Sequence, residues 1–160
     1  MSPIVREAVP EDAAGVAAVF APYVRDSVVT FETVPPTPSE WRARIDGRPF
    51  VVLADDDEVL GYALASPWRP KPAYRHTVET TVYLAADQAG QGHGRRLMDE
   101  LLRRCAEAGH RQAIAVIVDT GAGGSVGLHK AIGFREVGRL EAVGHKQNRW
   151  LDTILMQRAL

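Results

Sequence analysis

Three glycines at alternate positions, Gly90-Gln91-Gly92-His93-Gly94, stand between a strand-like run over residues 77–84 and an amphipathic helical pattern over residues 95–108. With side chains missing at every second position, backbone N–H groups can close on a ligand where a helix begins. A helix start carries unpaired donors and the positive end of the helix dipole, which together hold a phosphate or pyrophosphate. Arg95 and Arg96 add positive charge beside it. A flexible surface turn is the plainer reading of a glycine cluster; the preceding strand, the following helix and the arginines favour a ligand. Two familiar phosphate loops are excluded. No Gly-Lys-Ser or Gly-Lys-Thr occurs in the chain, which removes the Walker loop. A dinucleotide fingerprint would need its third glycine where Arg95 stands, and would open a βαβ unit instead of following a strand halfway down the chain. What remains is a nucleotide-like pyrophosphate on another scaffold.

With 160 residues, 46% hydrophobic and 24% charged, the sequence reads as a single domain, 1–160, able to bury a core without staples. A formal net charge of −1 argues against a nucleic-acid partner, which calls for a basic face. No apolar run is long enough to span a bilayer. The single cysteine, Cys105, excludes an internal disulfide and a cysteine zinc cluster; it shares an apolar helical side with Leu97, Leu101 and Leu102 and reads as core. The N-terminus lacks the basic-then-apolar pattern of a signal peptide, so a cytoplasmic protein is expected, with no membrane partner. No metal is expected, because the acidic run 55–58 has turn spacing and offers no coordination cage.

Residues 4–7 read as a first strand. Pro10-Glu11-Asp12 opens a helix with Val16, Val19, Phe20, Tyr23 and Val24 on one face, and Pro22 should kink or end it. An irregular stretch, 27–36, precedes a helix with a capping box: Thr37 as N-cap, Pro38 at the first position, Glu40 three residues on. Runs 50–54 and 59–66 form a hairpin around the acidic turn. A strand at 76–84, the glycine loop and its helix follow, then a buried strand at 112–118 and a short helix at 125–132 stopped by Gly133. Strands at 134–140 and 150–157 complete an α+β pattern: a mixed, mostly antiparallel sheet with helices on both faces.

From Gly61 to Val78 there is no Asp or Glu, while Arg69, Lys71, Arg75 and His76 cluster with Trp68 and Tyr74. Cations without compensating acids suit a small anionic ligand such as an amino-acid carboxylate or a phosphinate. A solvated basic loop is the plainer alternative.

The order of elements, with a glycine loop opening the third helix, resembles the GNAT superfamily of acetyl-CoA-dependent N-acetyltransferases over essentially the whole chain. Three segments resemble one family within it, the phosphinothricin/methionine sulfoximine acetyltransferases: Tyr74-Arg75-His76-Thr77-Val78-Glu79-Thr80-Thr81-Val82-Tyr83-Leu84, Leu128-His129-Lys130-Ala131-Ile132-Gly133-Phe134, and Val143-Gly144-His145-Lys146 with Arg149-Trp150-Leu151-Asp152. The resemblance implies a GNAT-like fold, acetyl-CoA as co-substrate, a small amino-acid-like acceptor and a homodimer. It implies that Val82, Tyr83 and Leu84 give backbone contacts to the pantetheine arm. Gly90, Gln91, Gly92, His93, Gly94 and Arg95, with Ser125, lie around the cofactor. It maps the acid/base glutamate onto Glu79 and the active-site histidine onto His129. Phe31 and Glu32 fall on one wall of the acceptor pocket, and Arg69, Lys71, Tyr74 and Arg75 on another. Ala89 and Ala122 depart from the family pattern, in which Gln or Arg and Asn are usual.

Acetyl transfer to an amine needs a base to take a proton from an ammonium substrate. Period-two alternation puts Thr77, Glu79, Thr81 and Tyr83 on one strand face, opposite Val78, Val82 and Leu84. Apolar neighbours there would raise the Glu79 pKa toward a working range. The division of proton transfer between Glu79 and His129 is left open. The leading expectation is acetylation of the α-amine of a phosphinothricin, methionine sulfoximine or methionine sulfone type of compound. A GNAT acting on a peptide N-terminus or a polyamine, and a non-catalytic acyl-CoA sensor, are the competing readings.

Overall fold

The computed structural model describes residues 2–160. Its elements run β1 (Ile4–Glu7), α1 (Ala13–Asp26), α2 (Pro38–Ile45), β2 (Phe50–Asp55), β3 (Glu58–Pro67), β4 (Thr77–Leu84), α3 (His93–Glu107), β5 (Gln112–Val118), α4 (Gly124–Ala131), β6 (Arg135–Lys146) and β7 (Arg149–Ala159). The strands form one sheet in the order β1-β2-β3-β4-β5-β7-β6. Every neighbouring pair is antiparallel except β4 with β5. Among the described residues, no helix is long and apolar enough to cross a membrane.

Two cores flank the sheet, as the alternation in the central strands requires. Val16, Phe20 and Val24 of α1 and Trp41 of α2 bury against Phe50, Val52 and Tyr62. On the other face Leu97, Met98, Leu101 and Cys105 of α3 pack on Val51, Leu53, Ala63, Val78 and Met156. The α+β sheet with helices on both faces is the expected GNAT-like architecture. The capping box at α2 forms as its sequence dictates, with Thr37 Oγ1 accepting from the Glu40 N–H at 3.2 Å and Glu40 reaching back to the Thr37 N–H.

Three boundaries differ from expectation. α1 continues through Pro22 to Asp26, because Val24 is buried and Tyr23 packs against the same core; that burial outweighs the local cost of a helical proline. α3 begins at His93, two residues before the periodic pattern, since Gly92 takes a left-handed φ of 81° and caps the helix. β6 runs on to Lys146, and the 144–152 segment is the β6–β7 hairpin end, closed by Gln147 and Asn148 with φ of 52° and 58°. A bulge at Leu140/Gly144 breaks the alternation that would have revealed the longer strand.

The start of α1 is fixed to β1 by a charged pair. Asp12 is buried and accepts from Arg6 Nη1 and Nη2 at 2.8 and 2.9 Å and from the Val9 N–H at 2.8 Å. Burial pushes its carboxyl up, but the Arg6 and Val9 donors more than offset this and hold it below 3.8. A depressed folded-state pKa stabilises the fold above the unfolded value and loses that contribution as pH falls through the folded one. Asp12→Asn is therefore expected to lower stability by about 1–3 kcal/mol at neutral pH. Urea melts as a function of pH should show the gap to wild type closing below pH 3.8.

Candidate active site

β4 and β5 pair over three residues, Thr77 with Gln112, Val78 with Ala113 and Glu79 with Ile114, and then separate. β4 meanwhile stays paired with β3 as far as Leu84. The β3–β4 ladder is anchored by the Ala85 N–H to the Leu60 carbonyl at 2.8 Å and the Trp68 N–H to the Thr77 carbonyl at 3.3 Å. Alternation between these points turns the N–H and C=O groups of Glu79, Thr81 and Tyr83 toward β3, and those of Thr80, Val82 and Leu84 toward the gap. Val82 and Leu84 thus turn main-chain groups toward the gap. Tyr83 does not, and what it brings to the cleft is its ring. The Tyr23 hydroxyl donates to the Leu84 carbonyl.

The gap opens into a cleft of about 940 Å³. At one end the loop Gly90, Gly92, His93, Gly94 and Arg95 meets the start of α4 at Gly124 and Ser125, and Ala89 and Ala122 also line it. Two helix starts therefore point unpaired N–H groups at one place. No atom lies within 4 Å of where a Gly92 Cβ would stand, so that side of the backbone is open to a ligand. Gly94 has a different reason for being glycine: its Cβ would lie 3.2 Å from Leu128 Cδ2, where α3 packs on α4. His93 is buried, and Gln91 donates to the Asp87 carbonyl at 3.2 Å. Arg96 turns away from the loop to hold the Pro3 carbonyl at 2.9 Å, leaving Arg95 as the cation on the cleft.

Glu79 and His129 both line the cleft. Burial raises the Glu79 pKa above 4.5, and the charge of Arg69 pulls it partly back. His129 is 3% exposed, and burial lowers its pKa against a hydrogen bond to the Ser125 carbonyl. A carbonyl can only accept, so Nδ1, 2.7 Å away, carries the proton and Nε2 holds the lone pair of the neutral ring. The pair offers a carboxylate and a neutral imidazole, either able to take a proton.

Phe31 and Glu32 form part of the lining, on a loop held by the far hairpin. Lys146 is buried and its Nζ donates to the Thr30 carbonyl at 2.9 Å. Phe31 lies on Gly144, where a Cβ would come within 2.1 Å of the ring. Trp150, by contrast, is 71% exposed and stacks on His145, with ring centroids 4.6 Å apart.

Arg69, Lys71, Tyr74 and Arg75 lie on an exposed segment outside the cleft lining. Arg69 stacks over Trp68 at 4.8 Å and, of the four, is the one whose charge acts on Glu79; Arg75 bonds back to the Pro72 carbonyl. The arginines that line the cleft near its acceptor side are instead Arg44 and Arg48, from the end of α2 and the turn after it. Sequence reasoning missed both, along with Tyr23 and Tyr62. Their one signal was a cationic run after Trp41, which reads equally well as a solvated helix end.

A groove with a strand edge along its length and helix starts at its end suits a long hydrogen-bonding arm that carries phosphates, as coenzyme A does. Fold and groove define the CoA-dependent acyltransferases as a class. Residues 17–134 match the acetyltransferase (GNAT) family; the chain belongs to that family and is an N-acetyltransferase. It is 46% identical over 155 residues to a phosphinothricin N-acetyltransferase of Alcaligenes faecalis, covering 94% of this chain and 79% of that protein. It is 36% identical to an L-methionine sulfoximine/L-methionine sulfone acetyltransferase of Pseudomonas paraeruginosa, covering 98% and 94% of the two chains. A crystal structure of a GNAT superfamily phosphinothricin acetyltransferase from Sinorhizobium meliloti in complex with acetyl-CoA superposes with a TM-score of 0.93 at 40% identity. The match covers 100% of this chain and 89% of the other.

Replacing Gly92 tests the loop. A Cβ there would have no atom within 4 Å, but a valine would resist a φ of 81° and crowd a bound phosphate. Gly92→Val is expected to fold and to weaken coenzyme A binding at least about tenfold, a loss of roughly 1.4 kcal/mol by calorimetric titration. Unchanged affinity would move the phosphate site elsewhere.

Proposed function

We propose that this chain moves the acetyl group of acetyl-CoA to the α-amine of a small amino-acid analogue of the phosphinothricin, methionine sulfoximine or methionine sulfone type. The observation that carries the reading is Glu79: a carboxylate of raised pKa at the last paired residue before β4 and β5 part. Named relatives at 46% and 36% identity supply the substrate class. Bound in the groove, acetyl-CoA would supply an activated acyl thioester. In this reading the main-chain groups of Val82 and Leu84 hold its arm, and Gly90, Gly92, Arg95 and Ser125 surround its phosphates.

The chain's own residues divide the remaining work. Glu79 takes the proton that an ammonium acceptor must lose before its nitrogen can attack. Its raised pKa makes it a better base than an exposed carboxylate. His129, neutral and fixed by Ser125, presents Nε2 for a proton relay near the leaving sulfur. Phe31, held on Gly144, walls the acceptor side, and Glu32 beside it offers a charge to an ammonium group.

We also read the chain as a homodimer. β6 is the edge strand of the sheet and is exposed on both faces for most of its length, with Val137, Leu140 and Val143 exposed along it, a surface that a second copy would cover.

Free-thiol release from acetyl-CoA should be seen with at least one of phosphinothricin, methionine sulfoximine and methionine sulfone, and rise with pH through an acid limb set by Glu79. Glu79→Gln should lower turnover roughly 10²-fold or more and abolish that limb. Arg69→Gln removes the charge that pulls the carboxyl down, so its acid limb should move to higher pH. Inert amino-acid analogues beside a readily acetylated peptide N-terminus would overturn the substrate class. Sedimentation at micromolar concentration is expected to give a dimer, with Val143→Asp shifting it toward monomer.

A further inference from the structure

On the α2 side of Glu79 the cleft carries cations without carboxylate partners. Arg44 and Arg48 both line it, and among the described residues neither enters an ion pair. Arg44 Cζ lies over the Trp41 ring, 4.8 Å from its centroid, and Arg48 donates to Ser66 Oγ at 3.2 Å. Trp41 and Tyr62 line the same cleft and are 2% and 0% exposed, yet Trp41 Nε1 and the Tyr62 hydroxyl have no hydrogen-bond partner. Unpartnered buried polar atoms cost free energy unless a ligand satisfies them. An indole N–H can only donate, two guanidiniums can only donate, and the tyrosine has its proton to give. A set of donors with no carboxylate of its own matches an anion.

Spacing says which anion. Ser66 stands directly opposite Glu79 in the β3–β4 ladder, so the two side chains share a face and their Cα atoms are about 5.5 Å apart. A group held by Arg48 at Ser66 thus lies about one small amino acid away from a group at Glu79. The carboxylates that line the cleft are Glu32 and Glu79, while the arginines of this side gather at α2. The cleft is therefore divided by charge, with an end for an ammonium and an end for an anion. Resting on the acceptor reading above, we propose that Arg44 and Arg48, with Trp41 and Tyr62, bind the acceptor's anionic head, its carboxylate or phosphinate, and thereby select zwitterionic acceptors. This function falls to cations distant in sequence from the acid-free segment that contains Arg69, Lys71 and Arg75.

The test uses Arg44→Gln, Arg48→Gln and the charge-keeping Arg48→Lys, each checked for fold by thermal melting. Charge-assisted hydrogen bonds are worth enough that each neutral variant should raise the KM for methionine sulfone and phosphinothricin about ten- to a hundredfold. The KM for acetyl-CoA should stay at the wild-type value, and Arg48→Lys should recover part of the loss. The carboxyl methyl ester of methionine sulfone separates the two anions. If the pair holds the carboxylate, the ester is a poor acceptor for wild type and is indifferent to the variants. If it holds the phosphinate, phosphinothricin alone responds. Wild-type KM for both acids in both neutral variants overturns the anion site while leaving the acceptor class standing. If wild type acetylates none of these compounds, the acceptor reading fails, and titration of Trp41 fluorescence with phosphinothricin decides the site. Saturable quenching lost in Arg44→Gln supports it, and no quenching overturns it.

Discussion

The separation of β4 from β5 after three residue pairs is the constraint on which the rest of the molecule depends. A parallel pair that continued would satisfy its own main-chain groups and leave a closed sheet. By parting, the strands leave the donors and acceptors of Val82 and Leu84 without ladder partners. A buried strand edge of this kind is costly unless something occupies it. The Tyr23 hydroxyl meets one of these groups, the Leu84 carbonyl; the others face a cleft that suits a hydrogen-bonding ligand. The same parting places Glu79 at the last paired position, half-buried at the mouth of the wedge, where lost hydration raises its pKa.

The elements around the wedge keep it open and give its two sides different chemistry. α3 and α4 bring their N-termini to one side, where an anion is favoured by unpaired N–H groups and by the helix dipole. On the other side α1 and α2 cover β2, β3 and β4 with aromatic rings, Phe20, Trp41, Phe50, Tyr62 and Tyr83, in edge, tilted and stacked contacts. These low-dielectric surroundings push the Tyr83 hydroxyl up to about 12. They also strengthen any charge pairing made within the cleft. The cleft wall at Thr30 and Phe31 is held by the β6–β7 hairpin, through Lys146 on the Thr30 carbonyl and Phe31 on Gly144. A buried lysine whose burial lowers its own pKa, countered by Glu32, thus ties this loop to the hairpin.

Local chemistry made much of this legible in the residues themselves. The capping box at Thr37 and the glycine loop before α3 are decided by interactions within a few positions, and each forms where its sequence calls for it. The alternation in β4 separates Glu79 and Tyr83 from Val78 and Val82, and the two cores divide along that line. Leu97, Leu101 and Cys105 face the core because helical periodicity leaves them no other side.

Tertiary structure decided what periodicity cannot carry. Pro22 is a helix breaker by local rule, yet burial of Val24 draws α1 past it. Arg96 reads like Arg95 in the sequence, and the approach of β1 alone turns it away from the loop. The positions of Arg44 and Arg48 depend on how α2 sits over β3, and the seat of Phe31 on a hairpin more than a hundred residues later. Contacts such as Tyr23 with Leu84 or Lys146 with Thr30 join residues 61 and 116 positions apart. Sequence by itself settled the fold class, the glycine loop and the strand face that carries the carboxylate, because those rest on local geometry. Which cations reach the cleft was left to the packing of distant elements, since no local rule sets the direction of a long side chain across a sheet.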